Sequence, residues 1–245
     1  MTRWKAAGIH FAISVLIASV AFCLLYFVYY PQPYFVAAGA STLVLILLGV
    51  DVVLGPVLTL IVFKSGKKTL KFDLAVIAIM QTAALVYGLH VVWSARPVFV
   101  LAVVDRLEII YAGEIDAAQF KLAEHPEFSA EPRFGPILGL TRRPKPGSEQ
   151  LDIMDAALAG ADIQYFPKFF TPATPAALKT FLSRAKKLDD LPSKARKLAE
   201  SYVAAHAIKG EIVAIPMKGR TAEFTVLFDL ESAKLITALP VDAWD

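Results

Sequence analysis

Leu43-Val44-Leu45-Ile46-Leu47-Leu48-Gly49-Val50-Asp51-Val52-Val53-Leu54-Gly55-Pro56-Val57-Leu58-Thr59-Leu60-Ile61-Val62-Phe63 holds 21 residues and one charge, and its reading decides the fold class. A helix needs about 20 apolar residues to cross the hydrocarbon core of a bilayer. The run reaches back to about Tyr34, and a similar one lies on each side of it, from about Gly8 to Tyr30 and from Phe72 to about Trp93. Between Ala6 and Phe63 the only charged residue is Asp51, and from Leu74 to Ala95 there is none. The pattern predicts a membrane protein with three transmembrane α-helices. The first run exceeds the apolar core of a signal peptide, no small-x-small cleavage site follows it, and bulky Phe22 before Cys23 argues against lipoprotein processing. It reads as an uncleaved span.

The surplus of apolar residues is local. Of 245 residues, 56% are hydrophobic and 19% charged, whereas a soluble domain averages about 45–50% and about 25%. The same figures exclude a disordered chain. Residues 97–245 carry 18 Lys and Arg against 20 Asp and Glu, the balance of an ordinary domain. The expected organisation is therefore a three-span transmembrane domain over 1–96 and an α+β extracytoplasmic domain over 97–245. The net charge of +3 divides into +5 for 1–96, from seven basic and two acidic residues, and −2 for the remainder. That basicity belongs to short juxtamembrane loops, so a nucleic-acid partner has no electrostatic footprint. Cys23 is the single cysteine, which excludes an intrachain disulfide and a zinc cage, and the absence of asparagine excludes N-glycosylation.

Pro31-Gln32-Pro33 breaks the first run from the second. The second is longer than one straight span requires; tilt, or a kink at Gly55-Pro56, would absorb the excess. Tyr29, Tyr30, Tyr34 and Trp93 stand where an interfacial aromatic belt belongs. Arg3 and Lys5 precede the first span, Lys64, Lys67, Lys68 and Lys71 follow the second, and the loop after the first is uncharged. Positive-inside placement puts the N-terminus and the lysine loop in the cytoplasm and residues 97–245 on the opposite side, the periplasm of a Gram-negative cell.

In that domain Val98–Val104 reads as a buried strand and Leu107–Tyr111 as its continuation, either a hairpin or one long bent strand; Gly135–Thr141 is a further candidate. Helices are expected over Ser148–Leu158, with Ser148 as N-cap, and from Thr174-Pro175 to about Lys187, with Leu178, Phe181, Leu182 and Ala185 as its apolar stripe. Another opens at Pro192, with Ala195, Leu198, Ala199 and Tyr202 on one face. Glu211–Pro216, Ala222–Phe228 and Lys234–Leu239 read as an antiparallel meander.

Catalytic motifs are missing: there is no G-x-S-x-G, H-E-x-x-H or G-x-G-x-x-G. Ser65-Gly66-Lys67-Lys68-Thr69 lacks most of a P-loop and reads as a positive-inside hairpin. His125 and His206 have no second ligand or nucleophile at a recognisable spacing, and His10 and His90 read as interfacial. Tyr165-Phe166-x-x-Phe169-Phe170 is either core or an exposed patch. No catalytic, cofactor-binding or metal-ligating residue is expected.

Asp51 is the expensive residue. An aspartate near mid-bilayer costs on the order of 2.5–3.5 kcal/mol, so it should face a partner or water. At 1.5 Å per residue from the lysine loop, Asp51 and Gln81 fall at similar depths. Asp51 then either hydrogen-bonds Gln81 or Thr82 and joins spans two and three, or forms with Gly55-Pro56 a docking groove for another helix. An intramembrane aspartyl protease would need a second carboxylate, and Asp73 lies at the cytoplasmic edge.

The segment Leu48 to Lys64, with Lys67-Lys68 and Leu70-Lys71-Phe72-Asp73-Leu74-Ala75-Val76-Ile77-Ala78 after it, resembles the TfpX/TfpZ family of type IV pilin accessory proteins. Arg3-Trp4-Lys5-Ala6, Ala95-Arg96-Pro97-Val98-Phe99 and Val104-Asp105-Arg106 are similar to the same family. The resemblance covers about residues 1–115. It implies a multi-pass bacterial inner-membrane protein without catalytic residues or cofactor that supports assembly of its cognate type IV major pilin. The pilin and the lipid bilayer are its expected partners, and Asp51, Gly55, Pro56, Thr59 and Gln81 the candidate contacts for a pilin helix. The alternative is a membrane-anchored periplasmic sensor of a small ligand or envelope component that regulates the pilus machine.

Overall fold

The computed structural model describes residues 2–220 and 222–244. The chain divides into two compact units, Met1–Phe35 with Gly39–Ala95, and Val36–Ala38 with Arg96–Asp245.

The first unit is helical. Thr2 caps α1 (Arg3–Leu24) by accepting from the Lys5 amide at 3.3 Å. The last turn widens into π geometry over Leu25–Tyr29, where the Tyr30 amide reaches back five residues to the Leu25 carbonyl. After the proline break comes a single turn, α2 (Tyr34–Ala37), whose last two residues count with the second unit, and the first unit resumes with α3 (Ala40–Val62) and α4 (Leu70–Ser94). The second apolar run is thus not one helix. Gly39, at φ 70° and free of the Cβ penalty of the left-handed region, takes up the excess length, and α3 continues unbroken through Pro56. Proline lacks an amide hydrogen, so the local effect is confined to the Val52 carbonyl, which loses its partner one turn on. Arg3–Tyr29, Ala40–Val62 and Leu70–Ser94 are each long and apolar enough to cross a membrane.

Within this unit α3 is central and packs against both α1 and α4. The buried residues of α1 are Ala6, Ala7, Ser14, Ala18 and Ala21. Small side chains let backbones approach closely where no hydrophobic drive separates helix from lipid. Tyr30 is buried, and its hydroxyl donates to the Val92 carbonyl at 2.5 Å.

The second unit is a mixed sheet covered by helices. Strands β1 (Pro97–Val103) and β2 (Arg106–Tyr111) form an antiparallel hairpin, which settles the choice between hairpin and bent strand. Val104, at φ 53°, makes the turn. β3 (Ile137–Thr141) runs parallel to β1, and β4 (Phe170–Pro172) closes that edge. β6 (Ile212–Lys218), β7 (Glu223–Asp229) and β8 (Lys234–Leu239) form the expected meander. A parallel pairing of β2 with the end of β6, at Leu107–Met217 and Glu108–Lys218, joins hairpin and meander into one sheet of order β4-β3-β1-β2-β6-β7-β8.

Two apolar clusters stand out among the described residues of the unit. Phe99, Leu101, Phe128 and Phe170 centre one, with Phe128 and Phe170 edge to face at 5.5 Å. Ala195, Ala199, Ala214 and Leu227 centre the other.

The helices α5 (Ser148–Leu158), α6 (Pro175–Leu182) and α7 (Ser193–Ala205) differ from expectation in detail. Ser148 is the first helical residue of α5, and Gly147, at φ 107°, holds the cap position. Thr174 caps α6 as expected, accepting from the Ala177 amide at 3.2 Å. That helix stops at Leu182, because Lys186–Lys187 forms β5 against Ala214 and Val213 of β6, and Lys186 Nζ donates to the Ala243 carbonyl at 2.8 Å. On α7 the small Ala195 and Ala199 face the sheet, and Leu198 is turned outward.

Candidate functional site

The polar pair of the first unit lies in a groove of about 500 Å³ between α3 and α4. Its walls are apolar: Leu47, Val50, Leu54 and Leu58 from α3, with Met80 and Leu85 among those from α4. At its floor Gln81 Nε2 donates to the Asp51 main-chain carbonyl and to Asp51 Oδ1, both at 3.1 Å. Thr82, the other expected partner, is exposed. The helical rise that matches the depths of Asp51 and Gln81 is what brings them into register.

Two glycines make this approach possible. A Cβ on Gly55 would collide with the amide of Gln81, and one on Gly88 with the Leu47 side chain. Gly55 therefore supplies the space in which Gln81 reaches Asp51. Pro56 is half-buried beside it. Gly55-Pro56 does not open α3 as the seat of a docking groove: Gly55 is buried against α4, in an intact helix.

Thr59 belongs elsewhere. It lies two turns beyond Asp51, is 2% exposed, and its hydroxyl is 2.6 Å from His10 Nδ1 on α1. It is therefore unavailable as an outside contact, because α1 already occupies its face. His10 in turn ties α1 to α3. Neither residue carries a sequence signal for the other beyond a polar side chain in an apolar run.

The groove carries an unbalanced set of hydrogen-bonding atoms. Both hydrogens of the Gln81 amide point to Asp51 acceptors, and its own Oε1 is buried with no partner among the described residues. Gln81 is the one donor to the Asp51 carboxyl among those residues. Asp73 is engaged at the start of α4, 2.6 Å from Lys67 Nζ and 3.2 Å from the Thr69 hydroxyl, so it is not a second carboxylate for Asp51.

In the second unit the strongest electrostatic knot lies beyond β3. Arg142 bonds Glu149 at 2.9 Å and Glu124 at 2.7 Å, and Lys168 lies 3.1 Å from Glu149. The Arg142 guanidinium first, then the Lys145 amide, hold the Glu149 carboxyl well below the usual carboxylate range. Of the aromatic run, Phe169 and Phe170 are buried, with Tyr165 and Phe166 half-buried. The exposed apolar stripe lies instead on α5, at Leu151, Met154 and Leu158, one face of the helix at i, i+3 and i+7.

Fold and site define a class: three helices long and apolar enough to cross a membrane, two of them joined by a polar pair, followed by a mixed α/β domain. The pattern of the fimbrial assembly protein FimB matches residues 1–39. Over 98% of its length this chain is 30% identical to the fimbrial assembly protein, serogroup I, of Dichelobacter nodosus, of which it covers 96%. The serogroup E1 protein of the same organism is also 30% identical, over 98% of this chain and 96% of that one. The protein of serogroups C1 and C2 is 35% identical over 45% of this chain and 86% of its own length. The chain belongs to the fimbrial assembly protein family. No solved structure matches it.

Proposed function

We propose that this chain is an inner-membrane accessory of the TfpX/TfpZ kind, a non-enzymatic chaperone that binds its cognate type IV pilin and raises the amount available for assembly. Family membership supports a role in building the pilus. The observation that carries the rest is Asp51, with Gln81 beside it, lining a groove that is otherwise apolar. In hydrocarbon a carboxyl with one donor is costly, and a partner helix laid over α3 and α4 removes that cost. Asp51, Gly55 and Gln81 build the floor of that seat. The second unit, on the periplasmic side under the positive-inside rule, meets the pilin head and supplies selectivity.

Deletion of the gene tests the reading. Surface pili should fall sharply while motors and secretin stay intact, and the pilin should crosslink to this chain in membranes. Normal pilin abundance and piliation without a crosslink would refute it and favour the ligand-sensing alternative. For topology, alkaline phosphatase fused after the final residue should be active, and a fusion within Lys64–Lys71 inactive. The reverse pattern would overturn the placement of every partner.

A further inference from the structure

The hydrogen-bond inventory of the α3–α4 groove says more about its occupant than its apolar walls do. An amide has two hydrogens to give. In Gln81 they serve the main-chain carbonyl and the carboxyl of Asp51. The carbonyl can only accept, so it fixes the amide with nitrogen toward α3 and leaves Oε1 without a donor. The carboxyl has several acceptor positions and receives a hydrogen bond from Gln81 alone among the described residues. As a carboxylate, Asp51 therefore presents spare acceptor positions to the groove, and the Gln81 donors beside it are spent.

A water needs two to four polar partners, and these walls offer it few. Val50, Leu54 and Leu58 on one side and Met80 on the other are exposed and apolar. In a bilayer such surface is covered by lipid tails or by another helix. Lipid tails have nothing to donate, and a purely apolar helix has no more to offer than they do.

We infer that the groove selects a transmembrane helix bearing a hydrogen-bond donor within its apolar run, at the depth of Asp51, and that the Asp51 carboxyl is the acceptor. The inference rests on the docking reading above and specifies the chemistry of the docked helix. Apolar contact along Val50, Leu54 and Met80 holds the helix, and the single polar contact sets its register. A helix shifted by one turn places the donor about 5.4 Å from its acceptor and loses the bond.

The full chain, carrying a photocrosslinking residue at Val50, provides the test in bacterial membranes. It is co-expressed with model single-span helices of leucine and alanine that carry either no polar residue or one asparagine at mid-span. A third arm uses the co-encoded pilin. Crosslinking to the asparagine helix should exceed that to the apolar helix by about fivefold or more, and Asp51→Leu should erase the difference. Moving the asparagine one full turn along the helix should also erase it. Equal capture of both model helices, with pilin still crosslinked, overturns the donor requirement and leaves the docking reading standing. Absence of a pilin crosslink while the asparagine helix is still preferred overturns the docking of pilin and leaves the donor requirement standing. Capture of none overturns both.

Discussion

Gln81 on α4 grips Asp51 on α3 twice, at the main-chain carbonyl and at the carboxyl, through a space that exists because residue 55 has no side chain. The pair is thus a property of three positions. Asp51 and Gly55 are one turn apart, and Gln81 fills the hollow between them and α4.

Gly55→Leu should accordingly separate α3 from α4. Forcing a side chain into a filled site costs about 1–3 kcal/mol, read as a lower unfolding midpoint in detergent. Gln81→Ala in the same chain removes the atoms in the way and should recover much of the loss. A double-mutant cycle measures the coupling. If Gly55→Leu is equally harmful with and without Gln81, close approach to that side chain is not what the glycine provides.

The elements that could be read from the sequence were those whose signal is local. Apolar runs the length of a bilayer gave the three helices, Thr174-Pro175 marked the start of α6, and alternation with turns gave the meander. Counting helical rise puts Asp51 level with Gln81 and Thr82, which works because α3 ends and α4 begins at the same lysine loop. What the sequence hid depends on distant residues. The parallel pairing of β2 with β6 joins Leu107 to Met217 and has no local signature. β5 forms from two lysines because β6 and the Ala243 carbonyl receive them, which no propensity indicates. His10 and Thr59 meet across a register between α1 and α3 that apolar runs alone do not fix.

That meeting yields a second prediction. Thr59→Val removes the oxygen 2.6 Å from His10 Nδ1 and leaves the ring without that partner. Interhelical polar contacts in membranes contribute about 0.6 kcal/mol on average and up to about 1.7, so a small fall in the detergent unfolding midpoint is expected. His10→Ala should then add little, because the partner is already lost. Since Thr59 faces α1, pilin crosslinking per molecule should not change. A specific loss of crosslinking at normal abundance would return Thr59 to the docking surface.

The Arg142–Glu149 tie predicts resistance to acid. Its folded carboxyl titrates below the usual range, so the unfolded chain binds the proton first as pH falls. The contribution to stability is full above the ordinary carboxylate pKa, about 4.3, and disappears only as pH falls through the lower folded value. Amide exchange over residues 142–158, corrected for intrinsic rates, should therefore remain protected at pH 4. Glu149→Gln should lose part of that protection already at pH 7. Wild-type protection that collapses near pH 4 would mean the carboxyl is not held by Arg142.

The remaining prediction separates glue from docking at Asp51. In Asp51→Leu the side-chain acceptor disappears, but the main-chain carbonyl still receives Gln81, so half of the α3–α4 link survives. Protein abundance should stay close to wild type while surface pili fall several-fold. Asp51→Asn keeps one oxygen for Gln81 and turns a donor toward the groove, so abundance should be normal and piliation intermediate. Immunoblots of membranes and pilus counts on the same cells give both quantities. Abundance and piliation falling in proportion in Asp51→Leu would make the pair a structural joint only, and wild-type piliation in that variant would remove Asp51 from the docking surface altogether.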